Sequence, residues 1–342
     1  MKTEDFNYYL PEELIAQNPC ERRDHSRMMI VHRLTGQIEC SYFYTLPRFL
    51  EAEDVLVVNN SKVIPARLTG NKTTGGAVEL LLLEQQEGES RWVVLLRPGK
   101  RVKKGTKIFF DDTSWAVTIE QKTEKKWLCE FHSDSDFEIF LSRHGRAPLP
   151  PYIKRKGMDG IKAADLERYQ TVYAQVPGSI AAPTAGLHFS DEMVALLELK
   201  RIPVTPVTLH VGFGTFLPIE TDRVEDHVME LEHFSISDTS AAAINTAKRV
   251  VAVGTTSVRT LESSIDEGGK IVSGHGTTQL FIYPGFQFKA VDALLTNFHL
   301  PASSLFLLVC AFGGKELMKE AYRRAVKEKF RFYSYGDCML IL

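Results

Sequence analysis

Three histidines in this chain occupy short polar motifs of a kind that core packing does not require. His188 belongs to Ala181-Ala182-Pro183-Thr184-Ala185-Gly186-Leu187-His188-Phe189, and His299 to Thr296-Asn297-Phe298-His299-Leu300-Pro301. His210 ends a strand-like alternation over 204–211, in which Val207, Leu209 and Val211 share one face while Thr208 and His210 share the other. Gly212-Phe213-Gly214-Thr215-Phe216 follows, and its glycines allow backbone to approach a ligand closely. Imidazole titrates nearest neutrality of all side chains, so three of them beside Gly, Thr and Asn at strand ends point to proton transfer. His188, His210 and His299 are alternatives for that role, with Thr184 and Asn297 as neighbouring groups for a substrate. Any one of them alone would read equally well as a hydrogen-bonded core residue.

A second constellation is Val253-Gly254-Thr255-Thr256-Ser257-Val258-Arg259-Thr260-Leu261-Glu262. An apolar strand meets hydroxyls at the start of a helix, where free backbone N–H groups and the positive dipole end converge, so Thr255, Thr256 and Ser257 form an anion pocket or an ordinary helix cap. Arg259 and Glu262 lie three apart on one helix face. Arg before Glu runs against the macrodipole preference, which favours over a plain surface pair a ligand role for Arg259, with Glu262 either orienting it or binding ligand hydroxyls. Phe332-Tyr333-Ser334-Tyr335-Gly336-Asp337 offers rings for stacking, Ser334 as a polar contact and Asp337 as an acceptor or a further proton-transfer group. A basic run, Arg91, Arg97, Lys100, Arg101, Lys103, Lys104 and Lys107, and a second patch at Lys154, Arg155 and Lys156, are candidates for phosphate contacts.

These residues need a frame. Short β-prone runs at 55–58, 78–83, 92–96, 107–110, 115–119 and 127–131, punctuated by Gly, Asp, Asn and Lys, predict a small antiparallel sheet or barrel. Beyond Pro148 strands alternate with helices. Helices are expected at 190–197 with Ser190 as N-cap, 238–248, 257–266, 304–312 and 315–329, and strands at 250–253, 280–283 and 339–342. The expected fold class is therefore α/β, with a main α/β domain over 1–58 and 146–342 and an inserted, small, antiparallel β-barrel-like domain over 59–145.

The chain has 342 residues and a net charge of −2, which argues against coating nucleic acid by bulk electrostatics and leaves room for a local basic face. Five scattered cysteines make a zinc framework or disulfide scaffold unexpected, so no metal is expected. No secretory leader pattern opens the chain, and the apolar run 305–312 is too short to span a bilayer, so the expected location is cytoplasmic. Gly-x-Gly-x-x-Gly, Walker, His-Glu-x-x-His and Gly-x-Ser-x-Gly patterns are absent.

Together with Leu14-Ile15-Ala16-Gln17, Pro148-Leu149-Pro150-Pro151-Tyr152-Ile153 and the closing 332–341 run, these motifs stand in the order found in one family. Over essentially its whole length the chain resembles the S-adenosylmethionine:tRNA ribosyltransferase-isomerases of queuosine biosynthesis. The resemblance implies a two-domain α/β and β architecture with the active site between the domains. It implies transfer and isomerisation of the ribosyl moiety of S-adenosylmethionine onto 7-aminomethyl-7-deazaguanine at the tRNA wobble position, with release of adenine and methionine. S-adenosylmethionine is then a consumed substrate, no cofactor is expected, tRNA and S-adenosylmethionine are the partners, no membrane is involved, and the chain is expected to be a monomer. Under this reading Thr184, Thr255, Thr256, Ser257, Arg259, Glu262, Asn297 and Ser334 bind substrate, Arg97, Lys100, Arg101, Lys103, Lys104, Lys154 and Arg155 bind tRNA, and the catalytic group lies among His188, His210, His299 and Asp337. The chain departs from the family's His-x-Met-His-x-Glu segment, which reads His227-Val228-Met229-Glu230-Leu231-Glu232 here. Two other classes compete: an S-adenosylmethionine-dependent RNA methyltransferase, which the missing glycine fingerprint disfavours, and a non-catalytic RNA-binding module, which leaves the polar histidine loops without a purpose.

Overall fold

The computed structural model describes residues 1–86, 90–100, 102–111, 113–123, 125–133, 135–155, 163–212, 214 and 218–342. Its contacts divide the chain into two compact units, one comprising Met1–Lys62, Pro151–Ile153 and Gln170–Leu342, the other Val63–Pro150 and Lys154–Tyr169. Residues 154–169 thus group with the β unit, although the sequence pattern assigns them to the α/β part.

The first unit is built on a nine-stranded mixed sheet. Its order is Gly274–Thr278, Glu232–Ile236, Val204–Leu209, Asp54–Asn59, Arg249–Val253, Ala293–Asn297, Cys338–Ile341, Arg27–Val31 and Ile38–Tyr42. The four central strands run parallel. A parallel strand covered on both faces is apolar throughout, which is how Val55-Leu56-Val57-Val58, Val250-Val251-Ala252-Val253 and Ala293-Leu294-Leu295 read. Their side chains alternate between two cores. Val55, Val57, Ala252 and Leu294 pack with the helices Ser304–Gly313 and Lys315–Lys327, while Leu56, Val58, Val251 and Leu295 pack with Phe43, Phe189 and the helix Asp191–Leu199.

Two expectations change here. The 55–58 run, which the β-prone spacing groups with the antiparallel segment although the expected domain bounds place it in the α/β part, is a central parallel strand, paired with Val204–Leu209 on one side and Arg249–Val253 on the other. Residues 280–283 are not a strand; the edge strand is Gly274–Thr278, a polar Gly-His-Gly-Thr-Thr run with no apolar period to reveal it. The helices appear at Asp191–Leu199, Asp238–Thr246, Thr255–Glu262, Ser304–Gly313 and Lys315–Lys327. Ser190 does cap its helix, accepting a hydrogen bond from the Met193 amide at 3.2 Å.

The second unit is a closed antiparallel barrel of six strands, in the order Lys126–His132, Arg91–Arg97, Ala77–Gln85, Arg67–Lys72, Lys107–Phe109 and Ala116–Thr123. Alternate side chains, among them Leu68, Leu80, Val94, Ile108, Val117, Ile119 and Phe131, are buried. The helix Phe137–His144, capped by Asp136, packs Phe137 and Phe140 against Trp115 and Phe131. Closure leaves no strand edge to pair wrongly.

Candidate active site

At the carboxyl ends of the central parallel strands the first unit holds a cavity lined by Tyr152, Thr184, Thr255, Thr256, Thr296, Asn297, His299, Ser303, Tyr333 and Ser334, with Ala185, Val211, Gly254, Phe298 and Leu305 as its apolar wall. Carboxyl ends of strands are where open α/β sheets place ligands. Each element arrives for a local reason. Gly254, at φ 87°, makes the left-handed turn between the strand Arg249–Val253 and the helix Thr255–Glu262, so the first turn of that helix opens into the cavity. Pro183 precedes a 3-10 turn, Thr184–His188, that carries Thr184 to the same rim. Asn59, at the end of its strand, ties the wall together: its amide donates to the Leu209 carbonyl at 2.9 Å and to Thr256 Oγ1 at 3.4 Å, and its oxygen accepts from the Leu209 and Ser61 amides.

Six of the expected substrate and catalytic residues line this cavity: Thr184, Thr255, Thr256, Asn297, His299 and Ser334. The others have different places. Ser257 is fully buried and donates its hydroxyl to the Val253 carbonyl at 2.8 Å, closing its own helix turn. Arg259, 3% exposed, forms a buried ion pair with Glu232 and donates Nε to the Leu280 carbonyl at 3.1 Å. Glu262 turns away from Arg259 and accepts from the amides of Lys289 and Ala290 at 3.0 Å. Burial raises its pKa against those bonds. Glu262 therefore does not orient Arg259; each makes its own contact outside the cavity lining.

Asp337 likewise holds backbone. Its two oxygens accept from the Arg27 and Arg331 amides at 3.0 and 2.8 Å, joining the last strand to its neighbour, and burial raises its pKa. His210 lies outside the strand it was expected to end. Burial, with His233 nearby, lowers its pKa, and its ring packs against Gly178, whose φ of 136° and lack of Cβ make the room. His188 stands one residue behind the cavity. It is 4% exposed, its Nδ1 lies 2.7 Å from Ser26 Oγ, and its Nε2 lies 3.2 Å from Asn297 Nδ2. Burial, reinforced by Arg331 and Arg23, brings its pKa down to about 3. His299, the histidine that lines the cavity, bonds through Nε2 to Thr296 Oγ1 at 2.8 Å, and burial brings it too down to about 3. Both rings are neutral at physiological pH.

Sequence reasoning passed over Ser26, Asn59, Tyr152 and Ser303. Ser303 caps the helix Ser304–Gly313, so its type reads as structural. Tyr152 stacks on Tyr333, with centroids 4.5 Å apart, and its hydroxyl is 2.7 Å from Ser334 Oγ. Its polar tip beside the proline-rich 148–151 segment was the available signal. The replaced family position also has a function: Glu230 accepts from the Gly214 amide at 3.0 Å and Glu232 from the Gly212 amide at 3.1 Å, so both carboxylates anchor the glycine turn after the strand Val204–Leu209.

On the barrel unit, Arg97, Lys100, Lys103 and Lys104 are exposed, and Arg101 lies outside the described residues. Arg91 of the same run pairs with Glu120 at 2.8 Å, over the intervening strand Lys126–His132. A concavity beside the run is lined by Leu96, Gly99, Lys100, Val102, Lys122, Lys125 and Trp127. Lys154 is exposed, whereas Arg155 pairs with Asp165 at 2.8 Å and is withdrawn from solvent. Lys156 lies outside the described residues. Among the described residues no group of three potential metal ligands converges, and no helix is long and apolar enough to cross a membrane.

A large mixed sheet with a polar cavity at its parallel strand ends, in a chain that also carries a closed six-stranded barrel, defines an α/β protein of enzyme type. Comparison with known proteins narrows the class. The family model described as "Queuosine biosynthesis protein" matches residues 3–341, and the chain belongs to that family. The S-adenosylmethionine:tRNA ribosyltransferase-isomerase of Syntrophus aciditrophicus (strain SB) is 55% identical over the full length of both chains, and that of Syntrophotalea carbinolica is 47% identical, again at full length. Among solved structures, the S-adenosylmethionine tRNA ribosyltransferase from Thermotoga maritima matches with a TM-score of 0.55 and 36% identity, covering 99% of this chain and 100% of its own.

Proposed function

We propose that this protein is an S-adenosylmethionine:tRNA ribosyltransferase-isomerase, which moves the ribosyl part of S-adenosylmethionine onto the aminomethyl group of 7-aminomethyl-7-deazaguanine at the tRNA wobble position. The products are epoxyqueuosine-tRNA, adenine and methionine. The observation that carries this reading is the cavity in which a helix N-terminus with Thr255 and Thr256 faces Asn297, His299, Tyr333 and Ser334, in a chain alignable end to end with relatives bearing that name.

The cavity's groups suit the substrate. The open N–H groups and hydroxyls at Thr255 and Thr256 provide a seat for the methionine carboxylate, next to Thr184. The stacked Tyr152 and Tyr333 rings supply an aromatic wall for the sulfonium or a base. In the reaction a base takes a C5′ proton made acidic by the adjacent sulfonium. The resulting ylide expels adenine by breaking the glycosidic bond and opens the sugar; the tRNA amine attacks, and epoxide closure releases methionine. His299 is the proton acceptor in this reading, because it is the histidine that lines the cavity. S-adenosylmethionine is consumed as a substrate and no cofactor takes part. On the barrel unit, Arg97, Lys100, Lys103 and Lys104 contact tRNA phosphates, with Lys154 as a further contact.

Product analysis tests the reading. Incubation with S-adenosylmethionine and tRNA carrying the aminomethyl-deazaguanine yields free adenine and methionine. S-adenosylhomocysteine instead would identify a methyltransferase, and tRNA binding without turnover a binding module.

A further inference from the structure

We infer that Asn297 Oδ1 is a dedicated acceptor for the N–H edge of a nucleobase, locked in that role by Ser26 and His188. Asn297 ends the strand Ala293–Asn297 and is 1% exposed. Its amide nitrogen carries two hydrogens and both are engaged, one by the Tyr333 carbonyl at 3.1 Å and one by His188 Nε2 at 3.2 Å. A carbonyl oxygen can only accept, so the nitrogen must face Tyr333, and rotating the amide would set oxygen against oxygen. His188 Nε2 must then be the unprotonated nitrogen, with the ring proton on Nδ1 pointing at Ser26 Oγ, 2.7 Å away. Ser26 can take that proton as an acceptor because its own hydroxyl hydrogen goes to the Arg23 carbonyl at 3.5 Å. The chain of donors runs in one direction and leaves one atom over: Asn297 Oδ1, buried and without a partner among the described residues, on a residue that lines the cavity. The hydroxyl of Tyr333, on the same wall, is also buried and finds no partner among the described residues.

Buried acceptors without donors are rare because each carries a desolvation penalty. A ligand supplies the missing donor. The groups around it define its class: an N–H donor for Oδ1, a second polar atom for the Tyr333 hydroxyl, and a flat face for the stacked Tyr152 and Tyr333 rings. A planar heterocycle with an amine edge meets all three. Two such rings reach this cavity under the function proposed above, on which the choice of ligands rests: the adenine of S-adenosylmethionine and the 7-deazaguanine of the tRNA. His188 is accordingly a positioning residue, which acts through Asn297, and does not accept the substrate proton.

Equilibrium binding of free bases to the full-length protein tests this. One arm compares adenine with purine, which lacks the amine; the other compares 7-aminomethyl-7-deazaguanine with its analogue lacking the 2-amino group. In one arm the parent prefers the amine-bearing base by about 5- to 150-fold, the range expected for leaving a buried acceptor unpaired. Asn297→Ala abolishes that preference while still binding the amine-free base, which also reports that the variant is folded. Ser26→Ala, which frees the His188 tautomer at a distance from the ligand, reduces the preference, an effect that loss of packing alone would not produce. A preference confined to the adenine arm places the adenosyl group at Asn297, and one confined to the deazaguanine arm places the tRNA base there. Equal binding within both pairs, no binding in either arm, or a preference that survives Asn297→Ala overturns the inference. Discrimination without ribosyl transfer would keep the subsite and sink the reaction, and the converse would do the reverse.

Discussion

Removing the carboxylate of Glu232 strands a guanidinium in the interior. Arg259 and Glu232 are 3% and 4% exposed, come from the helix Thr255–Glu262 and the strand Glu232–Ile236, and hold each other as a buried ion pair. Glu232 also accepts the Gly212 amide. Breaking a buried pair from one side leaves an uncompensated charge and costs about 3–5 kcal/mol. Loss of the Gly212 bond adds roughly 1 kcal/mol. Glu232→Ala therefore lowers unfolding stability by about 4–6 kcal/mol, a large fraction of a typical domain's total. The double variant Glu232→Leu with Arg259→Met restores much of it, because two apolar groups of similar volume need no solvation. An exposed pair serves as control: Arg323 and Glu320 are 66% and 54% exposed, and Glu320→Ala changes stability by no more than about 1 kcal/mol. Urea unfolding followed by far-UV circular dichroism measures all three. A loss under about 1 kcal/mol for Glu232→Ala, or a double variant weaker than the single, would refute the burial argument and return Arg259 to the role of a ligand-binding cation.

His188 and His299 have folded pKa values of about 3 against an ordinary 6.5, so the unfolded chain takes up protons below pH 6.5 that the native state refuses until near 3, and stability falls as pH drops through that window. Each contributes ~1.4 kcal/mol per pH unit, or about 2 kcal/mol between pH 6.5 and 5, and urea midpoints for His299→Gln across pH 5–7 should show a correspondingly flatter slope than the parent. Replacing Lys100, Lys103 and Lys104 together with alanine weakens tRNA binding and reduces its salt slope by roughly one unit for each phosphate deprived of its cation, whereas Arg155→Ala, whose side chain is paired to Asp165, leaves the slope unchanged. Gly178→Ala forces a Cβ to 2.8 Å from the His210 ring at a φ of 136°, so it should lower the thermal midpoint by an amount equivalent to about 1–3 kcal/mol.

The two-part architecture and most helices were legible in the sequence because their signals are local: Ser190 and its acidic first turn, or the even spacing of the barrel strands. The central strand Asp54–Asn59 was harder. Its apolar run looks like any short β segment, and only its long-range parallel partners assign it to the large sheet. The edge strand Gly274–Thr278 was invisible, since a polar run half exposed to solvent needs no apolar face. At the site, the motifs brought Thr184, Thr255, Thr256, Asn297, His299 and Ser334 to one cavity. They did not foretell that His188, Arg259, Glu262 and Asp337 stand outside the cavity lining, because the same side chain in the same motif can face a ligand, a carboxylate or a backbone amide, and the tertiary partner decides. Glu262 finds the Lys289 and Ala290 amides 27 and 28 residues away, a contact that helix spacing could not foresee.

The central claim is that the ribosyl carbons of S-adenosylmethionine leave both the adenine and the methionine and end on the tRNA. S-adenosylmethionine labelled with tritium in adenine and carbon-14 in the ribose tests it in one reaction with tRNA carrying the aminomethyl-deazaguanine. The account predicts carbon-14 in the tRNA wobble nucleoside and tritium in free adenine, in equal molar amounts. Both labels remaining together in one small molecule, with a methyl group on the RNA, would contradict it.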